Sequence, residues 1–306
     1  MMSEAWHAID DSWPSIMHVP GDNDGKYPNS NGLLIRTAKD GNSALLIDCG
    51  MGSRVARKIR KEFSITRVLL SHWHEDHTAS LKVLKNTRIS CHGADIPPLS
   101  DVDAFKQAYG VVGTAIEQQF VSFVEAVGME PVKGAEPMEP GFFREGDASV
   151  QVIHTPGHSA GHCCFYEPRR KIAFMSDIDL SKFGPWYGCR DSNLGDFVRS
   201  VRVMQSLDID IAASGHEGII EGKDIKDGLA YFLAKIEERD DKILALMREV
   251  TPRLAHDIYG HNIVYRNYNK FGEYLRLAEG IMIDQHLARL LATGRIIRCG
   301  EGFTLP

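Results

Sequence analysis

The stretch His72-Trp73-His74-Glu75-Asp76-His77 packs three histidines and an aspartate into six residues, the densest set of metal-ligand side chains in this 306-residue chain. The run before it, 65–70, reads as a buried strand, and 78–84 reads as the opening of a helix. The cluster therefore falls where a strand ends, a place where a rigid sheet holds side chains and a loop keeps them reachable. In extended backbone His72 and His74 project to the same side, so both imidazoles can approach one ion. Asp76 and His77 lie beyond the turn and serve either a second ion or the cap of the helix. Imidazole with carboxylate suits zinc, and also iron or manganese; calcium asks for more oxygen ligands. A solvated histidine-rich turn is the plain alternative, but four candidate ligands at one strand end favour metal.

The pattern His72-x-His74-x-Asp76-His77 resembles the signature of the metallo-β-lactamase superfamily, and three later segments resemble its other motifs in order. Val152-Ile153-His154-Thr155-Pro156-Gly157-His158 matches the second, with His158 the implied ligand. Ala173-Phe174-Met175-Ser176-Asp177 matches the strand that delivers a bridging aspartate, and Ala212-Ala213-Ser214-Gly215-His216 the last motif. The resemblance covers roughly residues 30–222. It implies a four-layer αββα sandwich and two divalent ions, zinc first among candidates. One ion would be held by His72, His74 and His158 and the other by Asp76, His77 and His216, with Asp177 shared. Three protein ligands leave a position open for water, the mark of a catalytic site. His154 and His162 receive no ligand role and are read as supporting or packing residues; Asp48 is read as orienting a ligand or capping the helix at 53–61. Flavin-coupled di-iron reductases of this fold resemble His-x-Glu-x-Asp, whereas position 74 here is histidine, so hydrolysis is favoured over redox work. No cysteine falls in a ligand position of the motifs, unlike the β-lactamases proper.

Composition sets broad bounds. A hydrophobic fraction of 43% and a charged fraction of 25% are ordinary for a globular protein with a sizeable core. The formal net charge of −6 argues against a broad nucleic-acid face, although it leaves room for a local basic patch. No run approaches the roughly 18 apolar residues of a membrane span, and the start Met1-Met2-Ser3-Glu4-Ala5 does not read as a secretory signal. Six scattered cysteines read as free thiols, pointing to the cytoplasm.

Strand-like runs at 33–37, 44–47, 68–70 and 88–91 alternate with helical stretches at 53–61 and 78–84, which implies layered α/β architecture. Residues 1–222 are expected to form the catalytic domain. Between about 100 and 130 an insertion carries Phe105, Tyr109, Val112, Ile116, Phe120, Phe123 and Val127 at helical spacing, broken near Gly110 and Gly113. That stripe serves either the core or a pocket wall. The segment 180–189, Leu-Ser-Lys-Phe-Gly-Pro-Trp-Tyr-Gly-Cys, can only be a loop, and its aromatic residues suggest a hydrophobic mouth. Residues 223–306 are expected to form a second, helical unit. A stripe through Leu229, Phe232, Leu233, Ile236, Ile243, Leu244, Met247 and Val250 ends at Pro252 and suits a homodimer as readily as a domain contact. The last helix, around 274–291, followed by a hairpin at 295–305, resembles the small winged-helix domain found after some hydrolases of this fold.

The expected activity is cleavage of an ester-like bond, thioester, lactone or carboxylic ester, in a small acyl-type substrate by hydroxide bridging two metals. Asp76, among the ligands, and Tyr187, as donor to a developing oxyanion, are the side chains assigned to catalysis. Phosphodiester or nuclease chemistry uses the same centre, and a non-catalytic ligand-sensing or partner-binding module is the alternative of a different class.

Overall fold

The computed structural model describes residues 6–39, 41–84, 86–127, 129–249, 254–268 and 272–306; Met1 to Ala5, the Val127 side chain, Val250 and Pro252 lie outside the described residues. Seven strands form one sheet in sequential order: β1 (His7–Asp10), β2 (Ile16–Val19), β3 (Gly32–Arg36), β4 (Ser43–Ile47), β5 (Ser64–Leu69), β6 (Arg88–Cys91) and β7 (Glu136–Pro137). Six more form a second sheet: β8 (Gly141–Glu145), β9 (Ala148–His154), β10 (Cys163–Glu167), β11 (Ile172–Ser176), β12 (Ile211–Ser214) and β13 (Gly218–Glu221), in the order β13-β12-β11-β10-β9-β8.

Alternation along the strands builds the layers. In β3, Leu33 and Ile35 face the opposing sheet while Leu34 faces outward. The inner layer joins Leu45, Ile47 and Leu69 of the first sheet to Val150, Val152, Phe165 and Phe174 of the second. Outside the first sheet, α1 (Ser53–Glu62) buries Val55, Ala56 and Ile59 against Leu34, Leu46 and Val68. Outside the second, α6 (Leu194–Ser206) buries Phe197, Val201 and Met204 against Tyr166, Ala173 and Ala212. Each fully buried Val, Leu, Ile, Phe or Met side chain among these stabilises the fold by about 1.5–3 kcal/mol. The result is the αββα sandwich.

The helix expected at 78–84 starts earlier and is shorter. The structure has α2 (Glu75–Thr78) inside the histidine cluster, with His74 as its N-cap, then a 3-10 turn at Leu81–Val83. The stretch 93–127 gives a 3-10 turn, α3 (Ile96–Ser100), α4 (Val102–Tyr109) and α5 (Glu117–Val127), and the break falls at Gly110 and Gly113, both with positive φ.

The C-terminal segment carries the helix and hairpin expected at its end. It consists of α7 (Lys223–Glu249), a short turn, α8 (Gly272–Ala292) and a hairpin of β14 (Ile297–Cys299) and β15 (Gly302–Thr304). Its first half is not a detached appendage, because Ile225, Leu229, Phe232 and Ile236 share a core with α6 and the second sheet. Ile243, Leu244 and Met247 pack on Ile283, Leu287 and Leu290 of α8. The described residues of the stripe, Leu229 through Met247, are therefore covered by the chain itself. No helix among the described residues is long and apolar enough to cross a membrane.

Candidate metal centre

Leaving β5, the chain passes through Leu70 and Ser71 into the cluster, and the backbone of 48–52 runs directly beneath α2. A Cβ on Gly50 would stand 1.4 Å from the Asp76 carbonyl oxygen, so only glycine lets the two segments meet. Gly157, at φ +135°, sets the approach of His158; a Cβ there would stand 2.3 Å from the Phe197 nitrogen.

Three imidazole nitrogens converge: His72 Nε2 lies 2.9 Å from His74 Nδ1, and His158 Nε2 lies 2.9 Å from His74 Nδ1 and 3.2 Å from His72 Nε2. His158 Nδ1 donates to the Trp186 carbonyl at 3.0 Å, which leaves a lone pair on Nε2 of the neutral ring. Burial holds His72, His74 and His158 below the usual imidazole range, strengthened at His72 by His77 and at His74 by His158. Neutral nitrogens crowded this closely suit a shared cation.

A second group forms beside it. His77 Nδ1 donates to Asp48 Oδ2 at 2.7 Å and His216 Nδ1 to the Gly25 carbonyl at 2.7 Å, so both Nε2 atoms turn towards Asp76 and Asp177. His77 Nε2 is buried without a hydrogen-bond partner, although Asp177 Oδ1 is 2.9 Å away. Asp177 Oδ2 is 3.2 Å from His158 Nε2, so its carboxylate reaches both groups. Burial alone would raise the Asp177 carboxyl, yet His77, His158, His216 and His72 hold it well below the usual range. Burial would likewise lower His216, but Asp177 and Asp76 lift it to about 10. The buried His77 nitrogen and the His and Asp donor set fit divalent metal: His72, His74 and His158 form one group able to hold an ion, Asp76, His77 and His216 another, and Asp177 joins His72 and His77 in a third.

A family model of the metallo-beta-lactamase superfamily matches residues 27–216. The chain belongs to that superfamily. It is a hydrolase of the metallo-beta-lactamase fold, resembling the curated atrochrysone carboxyl ACP thioesterase of Pseudocercospora fijiensis at 24% identity over 94% of this chain and 78% of that one. The protein of that name in Aspergillus fumigatus is 25% identical over 78% of this chain, which spans about half (53%) of the relative's length. Among solved structures, a metallo-beta-lactamase family protein of Thermus thermophilus superposes with a TM-score of 0.68 at 22% identity, over 90% of this chain and 94% of that one.

The supporting residues of this metallo-beta-lactamase centre are also placed. Asp48, itself at φ +59°, accepts from the Ser71 backbone and hydroxyl, both at 2.7 Å, as well as from His77. His162 Nε2 accepts the Asp177 backbone N–H at 3.3 Å, and its Nδ1 faces the Thr155 carbonyl at 3.1 Å. His154 stands apart, stacked on His92 at 3.9 Å.

Tyr187 requires correction. Its ring is fully buried, its hydroxyl lies 2.6 Å from His286 Nε2, and it does not line the cavity, so it cannot meet a developing oxyanion there. The mouth belongs to its neighbours Phe183 and Trp186.

Sequence reasoning missed Glu75, Tyr27 and Cys189. Glu75, buried within the motif, accepts from Tyr27 Oη at 2.7 Å and from Tyr109 Oη, and burial followed by Asp76 pushes it up to about 7. Cys189 Sγ lies 3.4 Å from His74 Nε2. Tyr109 was legible only as part of the insertion stripe, and Tyr27 carried no signal in a Pro- and Asn-rich stretch. Above the ligands opens a cavity of about 770 Å³, walled by Tyr27, Tyr109, Phe120, Phe123, Trp186 and Tyr274. The insertion thus forms a pocket wall while burying Phe105 in the core.

Proposed function

We propose that the chain hydrolyses an acyl thioester of a small substrate, with two divalent ions, zinc by preference and iron or manganese by donor type, held by His72, His74 and His158 and by Asp76, His77 and His216. Asp177 bridges the two groups in this reading. Ions so held supply Lewis acidity that polarises a carbonyl and acidifies a water to near-neutral pKa. The chain's own residues supply the rest. The aromatic wall of the cavity buries an acyl group and excludes water from the reacting carbonyl.

The observation that carries the proposal is this aromatic cavity opening directly onto the converged His and Asp donors. Among the described lining residues Lys26 is the one lysine or arginine, against Glu75, Asp179, Glu217 and Glu273, a balance that, away from the ions, disfavours an anionic phosphodiester and favours a neutral acyl group. A thiolate leaves without prior protonation, which suits a cavity whose Tyr27 and Tyr109 hydroxyls are both turned to Glu75. Two curated relatives named as ACP thioesterases support the same class. Six free cysteines, five of them buried, fit a reducing compartment and hence the cytoplasm.

The test is a panel of acyl thioesters, p-nitrophenyl esters, lactones and bis-p-nitrophenyl phosphate, each with and without chelator. Thioester turnover abolished by chelator and restored by zinc is expected. Preferential phosphodiester cleavage, or no chelator-sensitive turnover of any substrate, contradicts the proposal.

A further inference from the structure

We infer that the C-terminal helices α7 and α8 aim the His158 ligand by pinning the loop that carries Trp186, with Arg239 and Gln285 as positioning residues; the inference rests on the two-metal reading above. The Trp186 carbonyl fixes the His158 ring by accepting from Nδ1 at 3.0 Å. On both sides of that carbonyl the loop is held from the C-terminal helices. Arg239 donates to the Pro185 carbonyl at 2.6 Å, the Phe183 carbonyl at 3.1 Å and the Tyr187 hydroxyl at 3.0 Å. Gln285 Nε2 donates to the Tyr187 carbonyl at 3.2 Å.

The Tyr187 hydroxyl is itself oriented. His286 Nδ1 donates to Asp240 Oδ1 at 2.6 Å, so its Nε2 accepts from Tyr187, and the Tyr187 oxygen is left to accept from Arg239. Arg239, Asp240, His286 and Tyr187 are each at most 2% exposed. A buried guanidinium and carboxylate are costly to desolvate, and a well-packed apolar pair would join two helices as firmly. What the polar network adds is direction: it sets the backbone orientation of residues 183–187, and through Trp186 the lone pair of His158.

The experiment compares wild type, Arg239→Met and Gln285→Leu, each reconstituted with Zn2+. It measures stepwise Zn2+ affinity against a chromophoric chelator, together with kcat, KM and Tm. In both variants one of the two affinities is expected to fall about tenfold or more, the other staying within about twofold, with kcat falling more than KM rises. Gln285→Leu removes two partly buried contacts, the one to the Tyr187 carbonyl and the one accepted from the Leu194 backbone N–H at the start of α6, and carries the test should Arg239→Met not fold. A lower Tm with both affinities unchanged, or an equal fall in both, overturns the inference and leaves the two-metal reading standing. Wild type that binds no Zn2+ removes that reading, and this inference with it.

Discussion

Asp48 and His216 show how much of the centre depends on groups around the ligands. Asp48 fixes the His77 tautomer through Nδ1, and partners of this kind change metal affinity by about 10–100-fold when removed. Asp48→Asn keeps an acceptor but loses the charge, so weaker binding at the Asp76, His77 and His216 group is expected, read by zinc titration. In the metal-free chain His216, lifted to about 10 by Asp177 and Asp76 against the pull of burial, holds a proton that an ion must displace. Zinc affinity is therefore expected to rise with pH across 6.5–8.5, with proton release detected by calorimetry in two buffers. A raised folded-state pKa also means that the contribution of His216 to metal-free stability is complete below about 6.5 and lost as pH rises through about 10. Unfolding of the metal-free protein followed between these limits checks the sign.

At the scale of elements, the strands and the ligand-bearing strand ends were legible because the short continuous apolar runs at 33–35 and 44–47 suit strands buried on both faces. The seven expected ligands, read from local motifs, are drawn together by the sandwich. Helix α2 was not legible: it spans four residues, too few for a period, and starts within the motif itself. Tyr187 was misjudged because a loop of mixed aromatics does not reveal which ring turns inward; its partner His286 lies 99 residues away. In the C-terminal segment the last helix and hairpin were legible from a helical period and a Gly-rich turn, whereas the long-range packing of α7 on α6 was not. Two expectations belong here. Gly50→Ala forces backbone apart at α2 and is expected to cost about 1–3 kcal/mol or more, a loss of several degrees in Tm. Phe123→Ala opens the α5 wall of the cavity and is expected to raise KM for bulky acyl thioesters severalfold while zinc stoichiometry stays unchanged.

For the molecule as a whole, two sheets bring residues from position 72 to position 216 to one edge of the sandwich, and α5, α8 and the segment around Tyr27 raise aromatic walls over them. The candidate metal-holding side chains lie at and just beyond strand ends, and the cavity walls come from the segments between and after the strands. The chemistry proposed for this edge requires two bound cations, which anomalous diffraction from zinc-replete crystals would locate. Two peaks are expected, one against His72, His74 and His158, the other against Asp76, His77 and His216, with Asp177 touching both. Replete crystals with no peak among these seven side chains would contradict the account.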